Sequence, residues 1–197
     1  MIRTIAETVI GSVAELTELD RAIGDADHGV NLERGFKAVL AKIDDISARP
    51  INDALGEIGK TLILSVGGAS GPLYGKLFAT IGQRLAAADG LSKARVIDAC
   101  DHAIGVVKAL GRSDVGHKTM LDVLVPALDE LRGIDGAVSL RAVRERAHAA
   151  ANETIPMLAR RGRASFLGER SCGHMDPGAR SSELIIAAVC RFLETRL

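Results

Sequence analysis

Apolar residues recur about every 3.6 positions along most of the chain, and this period is typical of amphipathic α-helices. The pattern divides into helical stretches, which we place near residues 2–19, 31–43, 51–64, 72–88, 92–110, 119–131, 140–161 and 181–195. Pro156 lies inside the seventh stretch, so we expect a kink there or an earlier end. Strands favour aromatic and β-branched residues, whereas only 3% of this chain is aromatic. The sequence therefore predicts one all-α domain spanning residues 1–197.

The connections between the predicted helices are of two kinds. Most are short, which indicates antiparallel neighbours in a bundle or a helical barrel. The longer ones are polar and rich in glycine, and they cover residues 20–30, 65–72, 111–119 and 162–180. They follow the first, third, fifth and seventh helices, so in an up-and-down arrangement they would lie at the same end. The sequence therefore predicts a single site at one end of the domain.

The charge balance and the cysteines narrow the class of protein. Lys plus Arg and Asp plus Glu number 25 each, and a chain without net positive charge is a poor general binder of nucleic acid. No stretch approaches the roughly 20 consecutive apolar residues of a membrane-spanning helix. Cys100, Cys172 and Cys190 lie far apart in the sequence, which is typical of reduced thiols in a cytosolic protein. We therefore expect a cytoplasmic protein that binds neither nucleic acid nor membrane.

Three carboxylates fall within eight positions in the segment DRAIGDADHG, at Asp20, Asp25 and Asp27. Brought together around the turn at Gly24, they would repel each other unless a divalent cation joined them. Magnesium prefers a few carboxylates together with water and phosphate oxygens. A solvated acidic turn is the simpler interpretation of the Asp-x-Asp pair alone, and a zinc site at His28 lacks a second His or Cys at ligand spacing. The His-Gly-x-Asn sequence that follows favours magnesium, because a solvated turn does not require it.

A glycine-rich turn at residues 67–72 leads into the fourth predicted helix. Backbone N–H groups at a helix start are unpaired and the helix dipole is positive there, so the turn suits a phosphate group. Ser70 adds a hydroxyl group and is also a candidate for the helix cap. The turn has neither the Walker A spacing nor the strand that a Rossmann fingerprint requires. Taken alone, it also fits an ordinary helix start.

Two further glycine-rich segments carry cationic side chains. Lys118 lies in GHKTM and Arg163 in RRGRAS, and cations in such loops suit phosphate binding. Met120 is a candidate to pack on a nucleotide base, although a core methionine is the commoner role. The Asp-Pro-Gly sequence at residues 176–178 indicates a plain turn when taken alone.

Together, four segments resemble the ADP-binding L subunits of bacterial dihydroxyacetone kinases and occur in the same order as in that family. They are LTELDRAIGDADHGVNLERGF, LSVGGASGPLYG, GHKTMLDVLVP and RRGRASFLGERSCGHMDPGARS. The resemblance covers nearly the whole chain and implies an antiparallel eight-helix barrel with a nucleotide at one end. One departure is His117, which stands where the family usually has aspartate, so a carboxylate near the phosphates is missing here.

The resemblance also implies a set of site residues. It implies that Asp20, Asp25 and Asp27 hold two magnesium ions, which bridge the phosphates of ADP or ATP. The residues that match nucleotide contacts of the family are His28, Gly29, Val30, Asn31, Ala69, Ser70, Gly111, Met120, Arg163, Asp176, Pro177 and Gly178.

The resemblance implies a partner subunit but leaves the phosphoryl donor and the substrate open. Members of the family act with a K subunit that holds dihydroxyacetone covalently, so the chain is expected to be the nucleotide-binding subunit of a phosphotransferase. The phosphoryl donor is either an M-type phosphocarrier of the phosphotransferase system, which rephosphorylates bound ADP, or exchanging ATP. A kinase for another short ketose such as erythrulose, a non-catalytic nucleotide sensor and a homodimer are further alternatives.

Overall fold

The computed structural model describes residues 1–86, 90–134 and 140–196. Within these ranges the chain is helical and contains no strand, which confirms the predicted all-α class. The α-helices are α1 (Ile2–Gly11), α2 (Val13–Ile23), α3 (His28–Leu40), α4 (Ile43–Ser47), α5 (Ile51–Ser65), α6 (Ser70–Leu85), α7 (Lys93–Gly111), α8 (Leu121–Gly133), α9 (Leu140–Glu153) and α10 (Pro177–Glu194), with a 3-10 helix at Arg163–Ser171 between α9 and α10. None of the described helices is long and apolar enough to cross a membrane.

The structure differs from the predicted helices at identifiable points. The first predicted helix is two helices that meet at Ser12. Thr8 Oγ1 donates to Thr4 O at 2.8 Å and Ser12 Oγ donates to Thr8 O at 3.0 Å, and such side-chain bonds to the preceding turn bend helices. The short helix α4 was not predicted. The seventh predicted helix ends at Glu153, ahead of Pro156, as the proline led us to expect.

The described residues group into two compact units. The first unit contains residues 1–30 and 113–197, and the second contains residues 31–112. In the first unit α10 packs against α1, α2, α8 and α9, and α2 also packs against the 3-10 helix. An alanine-rich core lets α8, α9 and α10 approach closely, with the buried residues Val123, Ala127, Val143, Ala147, Ala150, Ala151, Ala179 and Cys190.

The second unit is organised around α5 and α6, and α7 packs on α6. Gly59 and Gly75 lie where α5 and α6 meet: a Cβ atom added to Gly59 would lie 2.5 Å from Gly75 O and 2.8 Å from the Cβ of Ala79. A Cβ added to Gly75 would in turn lie 2.7 Å from Gly59 O. The two helix backbones are therefore closer than any side chain at these positions allows.

We expect Gly59→Ala to lower the free energy of unfolding by about 1–3 kcal/mol, because the added methyl group forces α5 and α6 apart. Gly56→Ala in the same helix is the matched control, since a Cβ there meets nothing within 4 Å. The control should raise stability by roughly 0.5–1 kcal/mol through helix propensity alone. Urea denaturation followed by circular dichroism measures both, and equal effects of the two variants would contradict the close packing.

Candidate functional site

The acidic turn between α2 and α3 brings its three carboxylates together. Asp20 lies in the last turn of α2 and is buried, whereas Asp25 and Asp27 lie on the exposed turn that follows. One carboxylate oxygen from each residue lies within 4.8 Å of the others. The convergence predicted for these residues is therefore present in the structure.

Backbone geometry fixes this arrangement. Asp20 Oδ2 accepts hydrogen bonds from the backbone N–H of Asp27 at 2.8 Å and of His28 at 3.1 Å, so it satisfies amides at the start of α3. Any side chain at Gly24 would collide with the carboxylate of Asp20. Ala26, at the tip of the turn, has a φ of 61°, a conformation that L-residues rarely adopt. The chain thus accepts local strain where Asp25 and Asp27 are turned toward Asp20.

The first residues of α3 are packed within the first unit. His28 Nε2 lies 2.9 Å from the hydroxyl oxygen of Ser181 in α10. Burial lowers the pKa of His28, and the nearby carboxylates of Asp20 and Asp27 oppose that shift. Gly29 lies so close to α2 that a Cβ would be 2.5 Å from Thr17 Oγ1. The contacts with α2 and α10 hold the start of α3 in place, while the side chain of Val30 is exposed.

Arg163 joins the acidic turn to the loop that follows α9. One of its terminal guanidinium nitrogens, Nη2, lies 2.9 Å from Asp25 Oδ2, and its side chain is 69% exposed. A small apolar cluster holds the 3-10 helix in place beside α2, with Ile23, Ala159, Ala164 and Leu167 as its members. The structure therefore brings together the acidic turn and Arg163, which lie in distant segments of the sequence.

Lys118 has a different environment from the one its sequence context suggested. Its side chain is buried, and Nζ lies within hydrogen-bond distance of five backbone carbonyl oxygens, those of Thr154, Ile155, Met157, Ser171 and His174. Burial lowers the pKa of the Lys118 ammonium, and the charge of Asp176 opposes that shift. With its donors directed at the backbone, Lys118 connects loops and does not offer a phosphate contact.

Met120 and the Asp-Pro-Gly turn lie next to each other. A Cβ on Gly178 would lie 3.5 Å from Met120 N, and Pro177 is the first residue of α10. Asp176 caps this helix by accepting from Ala179 N at 2.7 Å. Burial raises the pKa of Asp176 to about 7.

Asp122 shapes the neighbouring loop and was missed by the sequence analysis. Its carboxylate is buried and accepts from Gly116 N at 2.5 Å and from Thr119 N at 2.6 Å. The Thr119-x-x-Asp122 spacing is that of a capping box, a signal that would have found it.

In the second unit the glycine-rich turn lies beside Asn31. A Cβ on Gly67 would be 2.7 Å from Asn31 Oδ1. Arg34 holds that amide oxygen at 2.6 Å and also donates to Ser65 O at 2.7 Å. Asn31 and the glycine-rich turn, two predicted parts of the nucleotide site, are therefore adjacent within this unit.

The start of α6 differs from the prediction for Ser70. The cap position is Ala69, which makes no side-chain cap hydrogen bond, and Ser70 is the first helical residue. The expectation that Ser70 caps the helix was therefore wrong, because the helix begins one residue earlier than a serine cap requires. Gly111 is the last residue of α7.

Three of the four predicted site loops meet inside the first unit. Residues 20–30 contact residues 162–180 through the pair of Asp25 and Arg163, and Lys118 joins the loop at 111–119 to the same segment. The fourth, at 65–72, belongs to the second unit. One site built from all four loops stays a prediction.

Several known proteins are similar to this chain in sequence over most of its length. The DAK2 domain matches residues 22–191. The ADP-binding subunit DhaL of the PEP-dependent dihydroxyacetone kinase of Escherichia coli (strain K12) is 46% identical over 172 residues, which cover 84% of this chain and 81% of that protein. The ADP-binding subunit DhaL of the PTS-dependent dihydroxyacetone kinase of Lactococcus lactis is 34% identical, over 89% of this chain and 86% of that protein.

The fold is also found in a solved kinase. The crystal structure of the dihydroxyacetone kinase from C. freundii in complex with AMP-PNP and Mg²⁺ matches 97% of this chain with a TM-score of 0.77 and 25% identity. This chain spans 33% of the length of that kinase chain. The similarity to DhaL subunits is thus confirmed over most of the sequence, and the chain belongs to the DAK2 domain family.

Proposed function

We propose that this chain is the nucleotide-holding subunit of a dihydroxyacetone kinase, which presents ADP or ATP for phosphoryl transfer to dihydroxyacetone on a separate K subunit. The observation that carries the proposal is the convergence of Asp20, Asp25 and Asp27, whose oxygens lie within 4.8 Å of one another. Its relatives support the assignment, since they are ADP-binding subunits of such kinases.

The carboxylates fit magnesium by the oxygens that the protein leaves available. Asp20 uses Oδ2 for two backbone amides, and among the described residues no hydrogen bond reaches its Oδ1 or either carboxylate oxygen of Asp27. Asp25 shares Oδ2 with Arg163. We propose that these three residues hold two Mg²⁺ ions, which would neutralise charge on the phosphates.

The chain's own groups would orient the nucleotide around those ions. Arg163 is exposed, and its ion pair with Asp25 already holds the side chain beside the acidic turn. Its guanidinium could therefore contact a phosphate with little further loss of conformational entropy. The turn before α6 would offer backbone N–H groups at the positive end of a helix dipole. The residues that we propose to contact the nucleotide are His28, Gly29, Val30, Asn31, Ala69, Ser70, Gly111, Met120, Arg163, Asp176, Pro177 and Gly178.

For the phosphoryl donor we propose an M-type phosphocarrier of the phosphotransferase system that rephosphorylates bound ADP. The PEP-dependent and PTS-dependent kinases to which the relatives belong support this mode over exchanging ATP.

Cys100, Cys172 and Cys190 are free thiols, as predicted, which supports a reducing compartment and hence the cytoplasm. No observation on the described residues favours a homodimer.

The test combines nucleotide identification with turnover. Mass spectrometry of freshly purified chain should find retained ADP, and calorimetry on chain stripped of nucleotide should show ADP binding only when magnesium is present. Addition of the cognate K subunit and phosphocarrier with phosphoenolpyruvate should then yield dihydroxyacetone phosphate. Magnesium-dependent ADP binding without any turnover would identify a nucleotide sensor, and the absence of binding would exclude the proposed site altogether.

A further inference from the structure

The segment 158–170 exposes two large apolar side chains. Phe166, in the 3-10 helix, is 90% exposed, and Leu158 is 42% exposed. Single apolar side chains on a surface are common and carry no meaning by themselves. Two further features distinguish Phe166 and Leu158 from such single side chains. They are the arginines of the same segment and the position of the segment beside the candidate metal site.

The same segment carries arginines that lack acidic partners. Arg160, Arg161 and Arg170 are exposed, and among the described residues no ion pair involves any of them; Glu169 is the one acidic residue in 158–170. Several exposed arginines of other segments pair with neighbouring carboxylates, namely Arg21, Arg49, Arg84, Arg132 and Arg141, whereas Arg3, Arg112 and Arg191 are exposed and have no ion pair among the described residues. Aromatic residues and arginine are the types that dominate the energetics of protein interfaces.

The backbone that carries these side chains is held in one conformation. Ala159 N donates to Ser171 Oγ at 2.9 Å, and Ser171 Oγ donates to Gly168 O at 2.7 Å. Lys118 Nζ binds Met157 O at 3.1 Å and Ser171 O at 2.7 Å, which fixes both ends of the segment. A surface that is already ordered loses little conformational entropy when a partner binds.

The segment also adjoins the candidate metal site. Arg163 lies between Arg161 and Phe166 in the sequence and pairs with Asp25 at 2.9 Å. Phosphoryl transfer requires the acceptor hydroxyl close to the phosphate, so the protein that holds the sugar has to approach this part of the surface. This chain matches 33% of the length of the C. freundii kinase chain, so in that kinase the same fold is covalently joined to the remaining two thirds of the enzyme.

We infer that residues 158–170, which expose Phe166, Arg160, Arg161 and Arg170, form the docking surface for the sugar-carrying K subunit. The inference rests on the proposed function and deepens it by naming the surface that the partner contacts. The chemistry of this surface fits a partner surface that is acidic and offers an apolar pocket for the ring of Phe166.

Two variants of this surface and two matched controls test the inference. Phe166→Ala removes the ring and Arg161→Glu reverses one unpaired charge, whereas Leu91→Ala and Arg3→Glu make the same kinds of change at exposed positions elsewhere in the chain. With magnesium and ADP saturating, the Kd for the cognate K subunit, measured by calorimetry, should rise about 30-fold or more for Phe166→Ala, the size expected for a central interface residue. Arg161→Glu should also raise this Kd, and both controls should stay within about twofold of the wild type.

The outcomes separate this inference from the proposed function. ADP affinity of the isolated variants should equal that of the wild type, and turnover should recover at high K subunit concentration. Unchanged affinity for the K subunit would overturn the inference, as would weaker ADP binding, which would place Phe166 against the nucleotide, or a defect confined to rephosphorylation by the phosphocarrier. Failure of the proposed function is a different result, since the wild-type chain would then give no turnover with the K subunit.

Discussion

Replacing Asp25 with alanine is expected to weaken magnesium-dependent binding of ADP by more than about 100-fold while the helical fold persists. Asp25 lies on the exposed part of the turn, and its ion-pair partner in the structure is Arg163, whose side chain is 69% exposed. Loss of a solvated ion pair changes stability by less than about 1 kcal/mol. Loss of one carboxylate from a cluster of three removes a large part of the attraction for a divalent cation.

Asp45→Ala is the matched control for this variant. Asp45 is also an exposed aspartate paired with an arginine, Arg49, at 2.7 Å, and it lies in the second unit. Calorimetric titration of ADP with and without magnesium should separate the two variants, and circular dichroism should show both folded. Unchanged ADP affinity in Asp25→Ala would contradict the metal site. Asp20 is a poorer choice for the test, because its carboxylate also holds two amides of the turn.

The acidic turn was predictable from the sequence because its signal is local. Three carboxylates fall within eight positions around a glycine, and a glycine in such a segment favours the turn that brings its neighbours together. The end of α9 ahead of Pro156 was predictable for the same reason, since proline disrupts the helix at its own position. Where one residue type dictates a local conformation, the sequence is sufficient.

Contacts between distant segments were not predictable in this way. Nothing near Lys118 in the sequence shows that its ammonium lies among carbonyls contributed by residues 154–157, 171 and 174. Asp25 and Arg163, which form an ion pair, are likewise 138 positions apart in the sequence. The resemblance to a family placed Asp25 and Arg163 in one site. The physical reason for their proximity is the packing of Ile23 with Ala159, Ala164 and Leu167.

Lys118→Met is expected to lower the free energy of unfolding by about 3 kcal/mol or more. Burial of an ammonium group costs several kcal/mol, and the five carbonyl oxygens around Nζ offset that cost in the native protein. Methionine has a similar length but no donor, so these oxygens would lose their partner without gaining access to water. Lys37→Met is the control, because Lys37 is exposed and pairs with Glu33 on its own helix, and it should change stability by less than about 0.5 kcal/mol.

Amide hydrogen exchange locates the effect of Lys118→Met. Ala159 N bonds Ser171 Oγ and Gly173 N bonds Ile155 O, so both amides report on the segments that Lys118 connects. We expect these two amides to exchange faster in the variant under native conditions, while amides inside α6 keep their protection. Equal stability and equal exchange in the variant would show that the loops hold Arg163 beside Asp25 without the lysine. A loss of stability with faster exchange at Ala159 and Gly173 would instead show that the buried ammonium of Lys118 keeps Arg163 in place.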